Sequence, residues 1–204
     1  MMTNIISREI AEMEPGRVFF PSDLAYVGTK STYVLKVLER ENKTGTIHRL
    51  AQGIYYYPKV DDKYGLGVIY PSLEDVAERI AERDKVTIAP TGAYAQNILG
   101  FSTQVPMNTV YMTNGTSKII KLRNGHTIKF IHTSQKNLAY KNKLLQMLVF
   151  ALKDIGKDNI SENLASRVRD LIQNIPLEKI SEDLKLMPAW IKNFILNLYE
   201  QQVF

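Results

Sequence analysis

Cysteine is absent from this sequence. That excludes disulfides, thiolate zinc sites, iron–sulfur clusters and a cysteine nucleophile. Long apolar runs are missing too, and none approaches the ~18–20 residues of a membrane helix. The opening Met1-Met2-Thr3-Asn4-Ile5-Ile6-Ser7-Arg8 lacks the basic start, apolar stretch and small-residue cleavage site of a secretory signal. A soluble, cytoplasmic protein with no membrane partner is therefore expected. Histidine is scarce, at three residues. His126 and His132 fall on one face of an expected strand, about 20 Å apart along it, too far to share a metal. No P-loop, Gly-x-Gly-x-x-Gly element or Gly-x-Ser-x-Gly elbow is present. Asp61-Asp62 reads as a solvated turn. No metal, no cofactor and no catalytic residue is expected, so the chain is read as not an enzyme.

What is there is ordinary in bulk and uneven in placement. The 204 residues suffice for one large domain or two small ones. The net charge of +5 is mild. By segment, residues 1–27 carry −2, residues 28–60 carry +4 and residues 61–84 carry −4. Residues 85–153 hold nine basic groups and no Asp or Glu, and residues 154–204 return to −2. Two basic blocks in an otherwise acidic chain point to an anionic partner, most economically nucleic acid. The alternative is that acids elsewhere fold back over them.

Ile5, Ile6, Ile10 and Met13 recur at helical spacing and end at Pro15-Gly16. Val18-Phe19-Phe20 is a short apolar run. Pro21-Ser22-Asp23 opens a helix of barely two turns, broken at Gly28. After Thr29-Lys30-Ser31 a longer helix runs to about Asn42 and buries Val34, Val37 and Leu38. Residues 46–50 and 54–58 then flank Gln52-Gly53 as a β-hairpin. Helix, short helix, glycine turn, helix and hairpin is the order of a winged helix-turn-helix, expected over residues 1–60. Its second helix would enter the major groove. The candidate DNA-binding residues are Thr29, Lys30, Ser31, Tyr33, Lys36 and Arg40. Tyr33, Lys36 and Arg40 share one helix face, opposite Val34 and Val37. Lys and Arg suit phosphates and guanine edges, and the hydroxyls suit either. His48 and Arg49 on the hairpin would reach backbone or minor groove. Tyr55-Tyr56-Tyr57 could stack on bases, but at least one should face the core.

Residues 59–70 read as a linker. A second domain is expected over residues 70–204, α+β in class, with a small antiparallel sheet and terminal helices. Ser72 caps its first helix. Residues 108–113, 116–122 and 126–133 are three strands separated by Asn114-Gly115 and Asn124-Gly125. Asn-Gly between apolar runs is a strong hairpin signal, so an antiparallel meander is expected. Lys118, Lys121, Arg123 and Lys129 are the candidate anionic-partner surface, for RNA or further DNA, with plain solvation as the alternative. From Lys136 onward the pattern is helical. Ser161, Pro176 and Pro188 mark helix starts, and Trp190, Phe194 and Ile195 are core positions.

Two stretches carry a family resemblance. One is the wing, Gly45-Thr46-Ile47-His48-Arg49-Leu50-Ala51-Gln52-Gly53-Ile54-Tyr55-Tyr56-Tyr57-Pro58. The other is Pro90-Thr91-Gly92-Ala93-Tyr94-Ala95-Gln96-Asn97-Ile98-Leu99-Gly100-Phe101-Ser102, followed by Val105-Pro106 and a strand. Over about residues 5–133 the chain resembles the antitoxins of AbiE-type abortive-infection (type IV) toxin–antitoxin systems. The resemblance implies a bacterial transcription regulator whose winged helix binds operator DNA and represses the antitoxin–toxin operon. It also implies a C-terminal antitoxin domain that counters a nucleotidyltransferase-like toxin, with a direct complex left open. Two other readings remain. One is a stand-alone winged-helix regulator whose C-terminal domain senses a ligand or forms an oligomer. The other is a protein-interaction module.

Overall fold

The computed structural model describes residues 2–25 and 30–201, with side chains from Ile5 onward. The chain is α+β and divides into two compact units. Met1–Asp84 with Ile120–His126 forms the first, and Lys85–Ile119 with Thr127–Phe204 the second. No helix among the described residues is long and apolar enough to cross a membrane.

The first unit begins with α1 (Met2–Ala11), β1 (Val18–Phe19) and a short 3-10 helix (Pro21–Leu24). It continues with α2 (Ser31–Thr44), β2 (His48–Ala51) and β3 (Ile54–Tyr56). The three strands form an antiparallel sheet in the order β1-β3-β2. Element order and sheet order are those of a winged helix-turn-helix. The turn at Gly28, with Thr29, lies outside the described residues. The helix before it is a single 3-10 turn rather than two α-turns. Pro21 begins it, and the Asp23 carboxylate accepts the Phe20 N–H at 3.0 Å, which closes the turn. Its one buried residue, Leu24, joins Ile6, Ile10, Phe19, Val34, Val37, Leu38, Ile47 and Tyr55 in one apolar cluster. Gly45, at φ +80°, ends α2 in the left-handed conformation that favours glycine.

The stretch expected as a linker holds a two-stranded ribbon, β4 (Lys59–Asp61) and β5 (Gly67–Ile69). Next comes α3 (Leu73–Asp84). Ser72 Oγ accepts the Asp75 N–H at 3.0 Å and the Asp75 carboxylate accepts the Ser72 N–H at 3.3 Å, a capping box. α3 belongs to the first unit, so the division falls after Asp84 and not within residues 60–70. The reason is Arg79. Its Nε donates to the Val18 carbonyl at 3.1 Å and its guanidinium bonds Asp23 at 3.1 Å. Arg83 stands 4.4 Å above the Phe20 ring. These contacts hold α3 on the strand and turn that lead into α2.

The second unit contains β6 (Ile88–Thr91), α4 (Gly92–Ile98), β7 (Asn108–Thr113) and β9 (Thr127–His132). β8 (Lys118–Lys121) spans the junction of the two units. The sheet order is β6-β7-β9-β8. The expected meander does not form. β6 and β7 are antiparallel, but β7 pairs with β9 in parallel, Tyr111 opposite Phe130. The local cause lies at Asn114-Gly115. A type I′ turn requires φ > 0 at both central residues, and neither has it. Instead the Asn114 side chain accepts the Thr87 N–H at 2.8 Å and donates to Gln135. A Cβ on Gly115 would sit 2.6 Å from a Val86 methyl, so any other residue there would force the Val86 side chain to move. The second Asn-Gly does turn the chain. Leu122 N–H donates to His126 C=O, and Gly125, at φ +88°, donates to Leu122 C=O. That is a three-residue loop rather than the two-residue one.

The helices α5 (Lys143–Ile155), α6 (Glu162–Ile172), α7 (Leu177–Ile180) and α8 (Ala189–Glu200) bury Leu148, Val149, Leu152, Val168, Ile172, Ile191 and Ile195 together. Ser161, Pro176 and Pro188 stand at the starts expected from the sequence. Beside α5 lies Tyr140. It is buried, and its hydroxyl has no hydrogen-bond partner among the described residues. Burial, and secondarily the Asp183 carboxylate, pushes its phenol up to about 12. An unfolded tyrosine ionises near pH 10. Between about pH 10 and 12 the unfolded chain loses this proton and the folded chain keeps it. Stability supplied by the neutral phenol is complete below pH 10 and falls by about 1.4 kcal/mol per pH unit through that window. Tyr140→Phe should remove this part of the alkaline slope and leave stability at pH 7 unchanged or slightly raised. Urea titrations at pH 7 and at pH 11 check it.

Candidate nucleic-acid interface

α2 begins without a side-chain cap. Lys30 occupies the cap position, and no acid lies in the first turn. A helix N-terminus carries partial positive charge and is stabilised by acids. α3 follows that rule with Glu74 and Asp75 in its first turn, and α2 departs from it. Lys30, Ser31 and Lys36 are exposed. Neither lysine has an ion-pair partner among the described residues. Tyr33 is half-buried and its ring packs on the Ile6–Leu38 cluster, so it is partly a core residue.

Arg40 is directed elsewhere. Its Nη2 donates to Ser7 Oγ at 2.9 Å and to the Glu41 carboxylate at 2.7 Å, while Ser7 Oγ donates to the same carboxylate at 2.9 Å. The three residues tie α2 to α1. Glu41 is the reason, because its side chain is only 13% exposed and needs neutralising. The Arg40 bond, opposed by burial and helped by Ser7 and Thr46, holds its carboxyl below the ordinary range. Such a carboxylate stabilises the fold above its unfolded pKa and ceases to do so as pH falls through the lower folded value. Arg40→Ala should therefore lower the melting temperature modestly, by about 0.5–1 kcal/mol of stability, with the deficit vanishing at acid pH. Thermal melts at pH 7 and pH 3 check it. Nearer the C-terminus Lys43 pairs with Glu39 at 2.8 Å. The open charge of α2 is thus confined to its first half.

The remaining candidates lie on the wing. A bulge between Arg49 and Ala51 bends β2, and Arg49 Nε donates to the Ala51 carbonyl at 3.1 Å. The guanidinium lines a groove of about 410 Å³ with Leu35, Glu39, Asn42, Gln52, Gly53 and Tyr55, between α2 and the wing. His48 is half-buried, its ring 5.5 Å from that of Tyr56. Tyr55 and Tyr56 are buried and do not offer faces to bases, whereas Tyr57 is half-buried.

The boundary between the two units falls within the second basic group. Lys121 and Arg123 are exposed and belong to the first unit. The Arg123 N–H donates to the Leu50 carbonyl at 2.8 Å, so the 120–126 segment lines the edge of the wing. Lys118 and Lys129 belong to the second unit. Lys118 is half-buried, 5.1 Å from the Phe130 ring centre, and Lys129 is exposed on β9.

Residues 5–180 match a family of unknown function, DUF6088. The chain belongs to that family. No curated protein matches it. In this DUF6088 chain two structural placements have weak sequence signals. Arg79 sits in an acidic helix and reads as a solvated i,i+3 partner of Glu82, yet it anchors the unit to Val18 and Asp23. Arg123 reads as a strand-end charge, and its backbone bond to Leu50 brings it to the wing.

Proposed function

We propose that this DUF6088 chain is a DNA-binding transcriptional autorepressor and the antitoxin of an AbiE-type pair, acting in the cytoplasm. One observation carries the DNA half. The exposed Lys30, Ser31 and Lys36 stand on the acid-free first half of α2, and Arg49 of the wing faces the same helix across a groove that Leu35, Glu39 and Asn42 line. That arrangement suits phosphate capture at a helix N-terminus and entry of α2 into a major groove. Lys121 and Arg123 at the wing edge add backbone contacts, with RNA as the alternative partner. The antitoxin half is supported by the resemblance at residues 45–58 and 90–102. A nucleotidyltransferase-like toxin is its counterpart, countered without need of a stable complex.

A mobility shift on the chain's own upstream DNA tests the first half. Specific binding that weakens steeply with salt is expected, and none to a scrambled duplex. Lys30→Ala with Lys36→Ala should weaken operator binding at least about tenfold and reduce the logarithmic salt slope by roughly 2, one per phosphate lost. Unchanged affinity and slope in a folded double variant overturn the assignment. Co-expression with the neighbouring toxin frame tests the second half, with restored growth as the expected result.

A further inference from the structure

The β4–β5 ribbon stands alone in the fold. No other described strand pairs with it, and a two-stranded ribbon is at best marginal in water. It also exposes large apolar groups, with Val60 54%, Val68 39% and Leu66 68% accessible and Tyr64 and Tyr70 beside them. Val60 and Val68 are directly paired across the ribbon and share one face. An unpaired edge next to an apolar face calls for another strand.

The sequence of β4 specifies which strand. It reads Lys59-Val60-Asp61. Set antiparallel to its own copy about a two-fold axis through Val60, residue 59 of each chain faces residue 61 of the other. Both facing pairs are then Lys opposite Asp, at the separation where cross-strand charges attract. The same strand set parallel and in register would oppose Lys to Lys and Asp to Asp. β5, with Gly67-Val68-Ile69, carries no charge to fix a register. One Asp61 oxygen already accepts the Tyr64 N–H at 2.9 Å, which leaves the other for a lysine.

We infer that two copies of this chain pair through β4, antiparallel about Val60, into a four-stranded β5-β4-β4-β5 sheet. The apolar side chains then form one continuous row, Val68, Val60 and their two symmetry mates, on a sheet large enough to be stable. On the operator-binding reading, from which the pairing itself is independent, the dimer presents two α2 helices and the operator is an inverted repeat.

Light scattering and sedimentation of the full chain, without DNA, test the pairing. The unaltered chain should be a dimer at micromolar concentration. Lys59→Asp makes every facing pair acidic, and should weaken the dimer at least about tenfold with circular dichroism unchanged. Asp61→Lys makes every facing pair basic and should do the same. Mixing the two variants should restore a heterodimer, because each strand then meets its charge complement. A monomeric parent, a dimer indifferent to Lys59→Asp, or a mixture that stays monomeric overturns the proposal. Because no DNA is present, failure of operator binding leaves the result untouched, and a monomer that still shifts operator DNA refutes the pairing alone.

Discussion

Asp183→Ala is expected to lower the unfolding free energy by about 2–5 kcal/mol, the largest single polar effect in the molecule. The carboxylate is 1% exposed. It accepts the Lys141 N–H at 2.8 Å and the Asn142 N–H at 2.9 Å. Asn142 in turn caps α5, its side-chain oxygen accepting from Leu144 at 2.9 Å and Leu145 at 3.2 Å. One buried carboxylate thus fixes the residue that satisfies the first turn of the most buried helix. Removing it orphans two backbone donors, each costing about 1–3 kcal/mol. Asp183→Asn should recover less than half of the loss, since an amide offers one acceptor oxygen and turns its NH2 toward the other donor. The adjacent Glu182, paired with Lys141 at the surface, is the contrast. Glu182→Gln should leave the melting temperature in place. Chemical denaturation of the three variants checks the order. A wild-type midpoint for Asp183→Ala would mean that the cap does not hold α5.

Leu38→Ala should cost about 2–5 kcal/mol through the cavity it leaves. Leu38 is fully buried in α2, within the cluster that also holds Ile6, Ile10, Phe19 and Tyr55. It is the inward counterpart of Lys36, one face seating the helix and the other presenting charge. Hydrogen exchange should show lost protection in α1, α2 and β3, and operator affinity should fall with it. Lys30→Ala with Lys36→Ala should lose affinity without losing protection. If Leu38→Ala left exchange unaltered, α2 would not be seated by this cluster.

Much of the winged helix is legible in the sequence because its signals are local. Val34, Val37 and Leu38 mark one helix face, Gly45 ends the helix, and Gln52-Gly53 turns the hairpin. Helix starts at Ser72, Ser161, Pro176 and Pro188 are legible for the same reason. The sheet of the second unit is not, because strand order depends on partners far apart in sequence. Asn114-Gly115 has the composition of a tight turn, but Thr87, Gln135 and Val86 decide its conformation, and none of them is nearby in the chain. The candidate interface divides along the same line. Lys30, Ser31 and Lys36 are exposed as helical periodicity predicts. Arg40 shares a face with Tyr33 and Lys36 by periodicity, but Ser7 and Glu41 claim its guanidinium. Thr29 lies outside the described residues.

The Arg123–Leu50 bond has a consequence for synthesis. The wing emerges early from a ribosome, yet the segment that lines its edge follows only after the whole Lys85–Ile119 stretch has been made. Until then the Leu50 carbonyl faces water or a chaperone, and the nascent winged helix has an open strand edge. A gene fragment stopped at residue 84 would freeze the protein at that stage. It should aggregate or bind DNA weakly, and a separate peptide covering residues 118–128 should improve its solubility. Excising the first unit therefore means carrying a distant hairpin along with it.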